Sequence, residues 1–327
     1  MSAGCILEIT VREVMRPTIS VLTPCYNSAT TLAVALASLC AQTYEDWECI
    51  VVDDGSRDDP GSVVEAFADS RIRFLAHRQN MGRAGARNTA TANAAGEFIA
   101  MLDADDWLYP AKLEHHVQVL QETPSLALVS SYMAIVNAED QLVGVRGIGE
   151  RSPDRMAMRS LDQIMAPPIP FAPSMFRASD VSSFCFDTRY SRAEDSAYLL
   201  KLVLGRSYVI LPEICYAYRE SQSETLDAIL RGHEELQRIF GEQDERSVKE
   251  SRKAIRSSKR KSMIYRLANR LGLLDRILMQ RNLAVEARDI EVHEEVLRGI
   301  RRCLPSQFRQ ATWRDISCGA ASVQLDK

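Results

Sequence analysis

The strongest constraint on the fold is a regular alternation of short apolar runs with helix-length segments, which begins at Pro17. This alternation is typical of a parallel sheet covered by helices. The apolar runs predict strands at residues 19–23, 48–52, 72–76, 98–102 and 126–133. The segments between them predict helices at residues 30–41, 60–68 and 83–95, and a fourth helix from Pro110 that ends before Pro124.

The pattern weakens after residue 133. Four prolines between Pro167 and Pro173 predict a long loop over a site. Order returns with a predicted strand at 174–177, a helix at 193–204, and strands at 208–211 and 215–218. Beyond Thr225 the pattern is almost entirely helical. These observations divide the chain into an N-terminal extension (1–16), an α/β domain (17–225) and a helical C-terminal region (226–327).

Composition excludes several classes of protein. A chain of 327 residues that is 46% hydrophobic can bury a substantial core. A formal net charge of -4 argues against binding to nucleic acid, because no overall positive field is present. The 8 cysteines form no C-x-x-C pair, which predicts reduced and mostly buried thiols. The sequence contains neither a signal peptide nor a run of about 18 apolar residues, so we expect a cytoplasmic protein.

Three polar clusters follow predicted strands, where the loops of a parallel sheet converge on one crevice. They are residues 23–27, residues 53–56 and the acidic segment 103–106. An ordinary turn also explains the cluster at 53–56, because Asp, Gly and Ser favour turns. The three carboxylates of Asp103, Asp105 and Asp106 repel each other by about 2 to 3 kcal/mol per pair at an effective dielectric near 20. A bound cation would offset this repulsion.

Oxygen ligands without His or Cys indicate a hard ion, Mg²⁺ or Mn²⁺, which proteins often bind together with substrate phosphates. The metal would act as a Lewis acid on a diphosphate leaving group. Transfer of a sugar from such a group also needs a base on the acceptor side. Glu194-Asp195, at the start of a predicted helix, is the best candidate, although helix capping explains an acidic pair there equally well.

These residues resemble the inverting, family 2-like glycosyltransferases of the GT-A fold over about residues 17–225. The matching segments are Ser20 to Asn27, Ser38-Leu39 through Gln42-Thr43-Tyr44, Trp47 to Ser56, Asn80 to Asn88, Asp103 to Asp106, and Glu194-Asp195. The resemblance implies a mostly parallel sheet with flanking helices, a nucleotide-binding half (17–125) and an acceptor half (126–225). It also implies metal-dependent transfer of a hexose or related sugar to a glycan or lipid-linked acceptor during polysaccharide or glycan assembly.

The resemblance further implies individual roles. Asp195 stands at the position of the general base, and Asp103 and Asp105 stand at the metal-binding D-x-D positions, with Asp105 the direct ligand. Pro24, Tyr26 and Asp54 look like the pocket for the nucleotide base. The full set implied to bind the nucleotide sugar is Thr23, Pro24, Tyr26, Asn27, Asp53, Asp54, Asn80, Gly82, Arg83, Arg87 and Asp103.

Two departures from the family pattern are informative. Ser182-Ser183-Phe184 replaces a common Gly-Gly-Phe, which leaves the shape of the acceptor pocket open. The Gln-x-x-Arg-Trp motif of processive synthases is absent, which favours a single transfer. Two other functions stay open: a sugar-phosphate nucleotidyltransferase, which would need a Gly-rich basic loop after the first strand, and a catalytically silent scaffold with this fold.

Residues 249–281 carry eleven Lys and Arg residues against Glu250 and Asp275, and apolar residues are interleaved among them. This composition is typical of an amphipathic helix on an anionic membrane surface, which would place the protein peripherally at the inner face of the cell membrane. The alternatives are a helical hairpin packed on the catalytic domain and a subunit interface.

Overall fold

The computed structural model describes residues 17–148, 158–220, 225–243 and 248–309, so the predicted N-terminal extension lies outside the described residues. The strands form a single sheet. They are β1 (Ile19–Cys25), β2 (Trp47–Asp53), β3 (Ile72–Ala76), β4 (Phe98–Met101), β5 (Trp107–Leu108), β6 (Leu126–Val136), β7 (Leu142–Arg146), β8 (Met158–Ser160), β9 (Met175–Arg177) and β10 (Ser207–Arg219).

Helices cover the sheet and continue beyond it. They are α1 (Ala29–Cys40), α2 (Pro60–Phe67), α3 (Gly82–Ala92), α4 (Lys112–Glu122), α5 (Ala178–Val181), α6 (Glu194–Val203), α7 (Leu226–Gly241), α8 (Val248–Arg270), α9 (Leu274–Met279), α10 (Ala287–Cys303) and α11 (Ser306–Arg309).

The strand order is β3-β2-β1-β4-β9-β6-β10-β5, with β7 paired to β6 and β8 paired to β10. The first four strands in this order are parallel, as predicted from the sequence. Beyond them the sheet is mixed, because β9 runs antiparallel to both β4 and β6. The carboxyl ends of β1, β2 and β4 therefore meet at one edge, where the polar clusters begin.

Successive residues of the central strands supply the cores on the two faces of the sheet, as strand geometry requires. Val21 and Val51 belong to the core under α1, whereas their neighbours Leu22 and Val52 belong to the core under α3. Full burial of a Val or Leu side chain is worth about 1.5 to 3 kcal/mol. Burial on both faces explains the near-continuous apolar runs in the sequence.

The two strands predicted at 208–211 and 215–218 are one long strand, β10. Its pairing with β6 is irregular between Leu211 and Ile214 and again before Tyr216. Pro212 lies in this irregular stretch, and proline cannot donate a ladder hydrogen bond. The interruption in the apolar pattern is thus a β-bulge within a strand.

The C-terminal helices pack against the α/β domain and against each other. The pair α7 and α8 forms a hairpin, and α10 packs on α1. Leu283 also forms an isolated bridge with Val145 of β7. Among the described residues, no helix combines the length and the apolar character that crossing a membrane would require.

Candidate active site

The loops after β1 and β2 are joined to each other at the edge of the sheet. The Asp54 N–H donates to the carbonyl of Cys25 at 2.8 Å, and the Asn27 N–H donates to the Ser56 hydroxyl at 2.9 Å. Gly55 has a φ of 75°, and a Cβ there would lie 3.0 Å from the backbone N of Asn80. Glycine at this position thus lets three loops converge.

Asp54 fixes the start of α3. Its carboxylate accepts hydrogen bonds from the N–H groups of Met81 and Gly82, both at 2.8 Å, and Nδ1 of His77 lies 2.7 Å away. Only 3% of Asp54 is exposed. A carboxylate at a helix N-terminus satisfies orphan N–H groups and the helix dipole. Because three donors already surround Asp54, its contact with a nucleotide base stays a prediction.

The other residues predicted around the nucleotide differ in accessibility. Thr23 is fully buried, and its hydroxyl lies 3.5 Å from Sγ of Cys49. Its contact with the nucleotide sugar stays a prediction. Tyr26 is 46% exposed at the rim of the crevice. Pro24 and Asp53 are half-buried, and Asn27 and Asn80 are exposed.

Arg87 lies at the centre of the crevice and joins its two acidic walls. Its guanidinium donates to Oε1 of Glu194 at 3.1 Å and to Oδ1 of Asp103 at 3.3 Å. The group also lies 5.0 Å from the ring centre of Phe171 and 5.5 Å from that of Phe186. Arg87 is 3% exposed. Burial between rings and carboxylates fixes this side chain in one position.

Arg83 lies one helical turn before Arg87 and faces the same carboxylates. Its Nη1 is 3.4 Å from Oε1 of Glu194, and its side chain is 54% exposed. The spacing of four residues places both arginines on one face of α3. Arg83 is therefore the accessible cation of the crevice and Arg87 the buried one.

The acidic segment after β4 is held by β10. The Tyr216 hydroxyl and the Arg219 N–H each donate to the Asp106 carboxylate at 2.8 Å, and the Asp103 N–H donates to the Tyr216 hydroxyl at 3.1 Å. Burial, together with the charges of Asp105 and Asp103, raises the pKa of Asp106 well above its usual value. Asp106 is thus a buried anchor of the segment.

Asp105 is half-buried, and desolvation followed by the charge of Asp103 raises its pKa. Within the described residues, the acidic side chains of the crevice outnumber the guanidinium groups near them. The acidic groups are Asp103, Asp105, Asp106, Glu194 and Asp195, and the guanidinium groups are those of Arg83, Arg87 and Arg219. An excess of carboxylate oxygen with no His or Cys fits a hard divalent cation.

Asp195 and Glu194 begin α6 but differ in their surroundings. Glu194 is 1% exposed and its Oε1 is paired with arginine, whereas Asp195 is half-buried and accepts a hydrogen bond from the Ser196 N–H at 2.6 Å. Desolvation, followed by the charge of Glu194, raises the pKa of Asp195 to about 6. A carboxylate with this pKa is suited to accept a proton near neutral pH.

Glu235 of α7 holds the backbone turn that leads into α6. Its carboxylate accepts hydrogen bonds from the N–H groups of Ser191, Arg192 and Ala193 at 2.8 to 3.2 Å. Sequence analysis did not identify Glu235, Tyr216 or Arg219 as site residues. Each contacts a partner more than forty residues away, and no local pattern marks such a pairing.

Comparison with protein families decides the classification. The sequence profile of the family described as glycosyl transferase family 2 matches residues 20–184, which contain the strands and loops of the crevice up to Phe184. The chain belongs to glycosyl transferase family 2. This confirms the resemblance deduced from the sequence.

Relatives with similar sequences include two bacterial glycosyltransferases. The UDP-Glc:alpha-D-GlcNAc-diphosphoundecaprenol beta-1,3-glucosyltransferase WfgD of Escherichia coli is 39% identical over 119 residues, which are 36% of this chain and 47% of WfgD. Glycosyltransferase GlyG of Streptococcus pneumoniae is 35% identical over 120 residues, 36% of this chain and 40% of GlyG. The matches span about half or less of these relatives' length.

Solved structures of other proteins share the fold over most of the chain. S. aureus TarS 1-349 in complex with UDP-GlcNAc has a TM-score of 0.58 at 18% identity, covering 92% of this chain and 89% of TarS 1-349. The mannosyltransferase PcManGT of Pyrobaculum calidifontis, in complex with GDP-Man and Mn²⁺, has a TM-score of 0.52 at 20% identity, covering 95% and 87%. These likenesses confirm the GT-A fold of this family 2 chain.

Proposed function

We propose that this protein transfers a sugar from a nucleoside-diphosphate sugar to an acceptor hydroxyl with inversion at the anomeric carbon. The observation that carries the proposal is the double contact of Arg87, which brings Asp103 of the acidic segment and Glu194 of the acidic pair into one crevice. A leaving-group site and a base on opposite sides of a sugar are what an inverting displacement requires. The exposure of Tyr26 and Arg83 supports their proposed contact with the nucleotide and its phosphates.

A divalent cation fits the acidic segment. Asp105 and Asp103 would hold Mg²⁺ or Mn²⁺, because they are the half-buried carboxylates of the segment, whereas Asp106 is occupied by Tyr216 and Arg219. A bound cation supplies positive charge to the diphosphate as the leaving group. The Mn²⁺ in the complex of PcManGT supports this choice of ion.

Asp195 is the proposed base. It takes the proton of the acceptor hydroxyl while the acceptor oxygen bonds to the anomeric carbon and the bond from that carbon to the diphosphate oxygen breaks. Oε1 of Glu194 is held by Arg83 and Arg87, whereas burial and the charge of Glu194 raise the pKa of Asp195 to about 6, which suits Asp195 to accept a proton. Glu194 then serves as a positioning residue that fixes the start of α6 against α3.

The proposed acceptor is a sugar carried on a lipid diphosphate, in the assembly of a surface polysaccharide. The name of WfgD, which shares part of this sequence, specifies a lipid-linked acceptor. A surface feature of α8 supports the same choice. Its buried residues are small ones, such as Ala254 and Ser258, whereas Met263, Leu267 and the directly following Leu271 are 57% to 65% exposed. This is the reverse of an ordinary surface helix.

The outward apolar residues of α8 are spaced by four, so they form one stripe along the helix. Arg256, Arg260 and Arg270 lie three or seven positions from Met263 or Leu267, so they fall on the same side of the helix. Large apolar side chains flanked by Lys and Arg suit an anionic lipid surface, where each basic residue contributes about 1 kcal/mol. We therefore propose that this stripe docks the enzyme peripherally on the membrane that holds its acceptor.

The transfer is tested by measuring the melting temperature of the full chain with a panel of nucleoside diphosphates and their sugars, with and without Mn²⁺. A ligand that binds only the folded state raises the melting temperature. We expect one nucleotide series to do so, more strongly with Mn²⁺. The Asp105→Ala variant should lose the Mn²⁺-dependent part, and Asp195→Asn should keep it but lose turnover. If no sugar nucleotide binds or is turned over, the protein is a silent scaffold.

Membrane docking is tested separately by co-sedimentation with vesicles of anionic and of zwitterionic phospholipid. The native chain should bind anionic vesicles, and Leu267→Glu should bind at least tenfold more weakly. Ile290→Glu is the matched control, because Ile290 is also exposed (46%) but lies on α10. Equal binding by the two variants, or none by the native chain, contradicts the docking surface without affecting the proposed transfer.

A further inference from the structure

A second cluster of ligand-type side chains lies away from the crevice, between α4 and β10. It comprises His115, Glu213 and Cys215, whose Nδ1 or Nε2, carboxylate oxygen and Sγ atoms all lie within 4.8 Å of one another. Nδ1 of His115 is 2.6 Å from the Glu213 carboxylate. Within the part of the chain that the structure describes, this is the only group of three or more His, Cys, Asp or Glu residues so arranged.

The cluster lines a pocket of about 800 Å³ between α4, the bulged part of β10 and α10. The pocket lining includes no residue of the crevice. Cys215 lines this pocket, whereas the neighbouring Tyr216 does not and instead contacts the acidic segment. The two sites are therefore separate.

We propose that His115, Glu213 and Cys215 bind Zn²⁺ or a similar thiophilic divalent ion. Imidazole nitrogen, carboxylate oxygen and thiolate sulfur are the three ligand types of zinc sites, and a site with three protein ligands keeps one position for water. The thiolate distinguishes this site from the oxygen-only acidic segment, because soft sulfur ligands disfavour Mg²⁺ and Mn²⁺.

The geometry is close to that of a metal site. Zinc bonds of about 2.0 to 2.3 Å place the ligand atoms of a tetrahedral site roughly 3.3 to 3.8 Å apart. The observed separations require only small side-chain rotations, in which the contact of His115 with Glu213 opens to admit the ion. Their side chains are 40% and 56% exposed, so solvent reaches the site, and Cys215 forms the buried floor at 3% exposure.

Lys112 provides a second, independent observation. It lines the same pocket and is fully buried, and its Nζ has no hydrogen-bond partner among the described residues. A buried ammonium group without a partner is costly. The pocket lining also contains Glu213, Glu286, Asp289 and Glu295, but none of them hydrogen-bonds to Nζ of Lys112. A metal-bound thiolate at Cys215 would place a negative charge in the same pocket as this group.

The test uses the full chain, freed of metal by chelation and titrated with Co²⁺ in excess Mg²⁺, which saturates the oxygen-only site. We expect one equivalent of Co²⁺ to bind, with a near-ultraviolet charge-transfer band that requires a thiolate ligand. Zn²⁺ should displace the Co²⁺ and abolish the band. Cys215→Ser should remove the band, and His115→Ala should weaken Co²⁺ binding at least tenfold.

Cys25→Ser is the matched control, because Cys25 is another buried thiol, at the edge of the proposed active site. It should keep the full band. Melting temperatures measured without metal separate loss of binding from loss of folding, and the half-exposed His115 provides a variant expected to fold normally. A band that persists in Cys215→Ser, or equilibrium dialysis that finds no bound Zn²⁺, overturns the proposal.

Discussion

Arg87 donates one hydrogen bond to Glu194, at 3.1 Å, and another to Asp103, at 3.3 Å, although these carboxylates lie on different elements and are distant in sequence. One buried guanidinium thereby sets the separation between the acidic segment and the start of α6. Both the stability of the crevice and its alignment depend on this side chain.

We expect Arg87→Met to destabilise the protein by about 3 kcal/mol, because it leaves the buried Glu194 carboxylate with only the exposed Arg83. Arg83→Met should cost less than about 1 kcal/mol, since an exposed ion pair contributes little. Urea unfolding measures both. The double variant Arg87→Met/Glu194→Gln should recover part of the stability but no activity. Equal losses from the two arginine variants would contradict the central role of Arg87.

The raised pKa of Asp195 predicts opposite effects on activity and stability. The base must be ionised, so kcat/KM should fall about tenfold per pH unit below about 6. The folded state holds this proton more tightly than the unfolded state, so the stabilising contribution is present at pH 4 and is lost as pH rises to about 6.

Asp195→Asn should therefore abolish turnover yet increase stability by about 1 to 2 kcal/mol at pH 7, with no gain at pH 4. Denaturant unfolding at the two pH values, beside a full pH profile of kcat/KM, checks both parts. A variant that is inactive but equally destabilised at both pH values would indicate a structural role only.

The hydrogen bonds of Tyr216 indicate that β10 influences the metal affinity of the acidic segment. Tyr216→Phe removes the hydroxyl that bonds Asp106 and the Asp103 N–H, so it should destabilise the protein by about 1 to 3 kcal/mol. It should also raise the Mn²⁺ concentration needed for half-maximal activity. Tyr208→Phe, at another buried tyrosine of the same strand, is the control and should leave the Mn²⁺ requirement unchanged.

The hydrogen bonds of Glu235 to the backbone before α6 indicate that α7 contributes to catalysis. Glu235→Ala leaves three backbone N–H groups before α6 without their acceptor, so kcat should fall while binding of the nucleotide is retained. The cost in stability should be about 1 to 3 kcal/mol. Glu234→Ala, at the exposed neighbouring residue, is the control. Unchanged kcat in Glu235→Ala would show that solvent replaces the carboxylate adequately.

Much of the fold of residues 17–125 was predictable from sequence, because strands buried on both faces leave continuous apolar runs. The predicted strand at 72–76 agrees with β3, and predicted helix starts at residues 30, 60 and 83 differ from α1, α2 and α3 by at most one residue. The short strands β5, β7 and β8 were missed, because two to five residues at a sheet margin carry little periodicity.

The fold after residue 125 depends on pairings that local sequence does not encode. The position of β9 between β4 and β6 joins segments about fifty to eighty residues apart. The motif that contains Thr23 did not indicate that this residue is fully buried. The residue types of the acidic segment were evident in the sequence, whereas the partners that hold Asp106 come from β10.

Residue 225 marks a boundary in the sequence pattern between the α/β domain and the helical region. In the folded protein, however, the contact between Glu235 and the backbone at 191–193 connects the two parts. A fragment that ends at residue 225 would retain every predicted catalytic side chain. The turn before Asp195 would lose the Glu235 carboxylate, however, and its N–H groups would donate to water instead. The α/β half expressed by itself should therefore contain the predicted catalytic residues but no longer hold Asp195 in a fixed orientation.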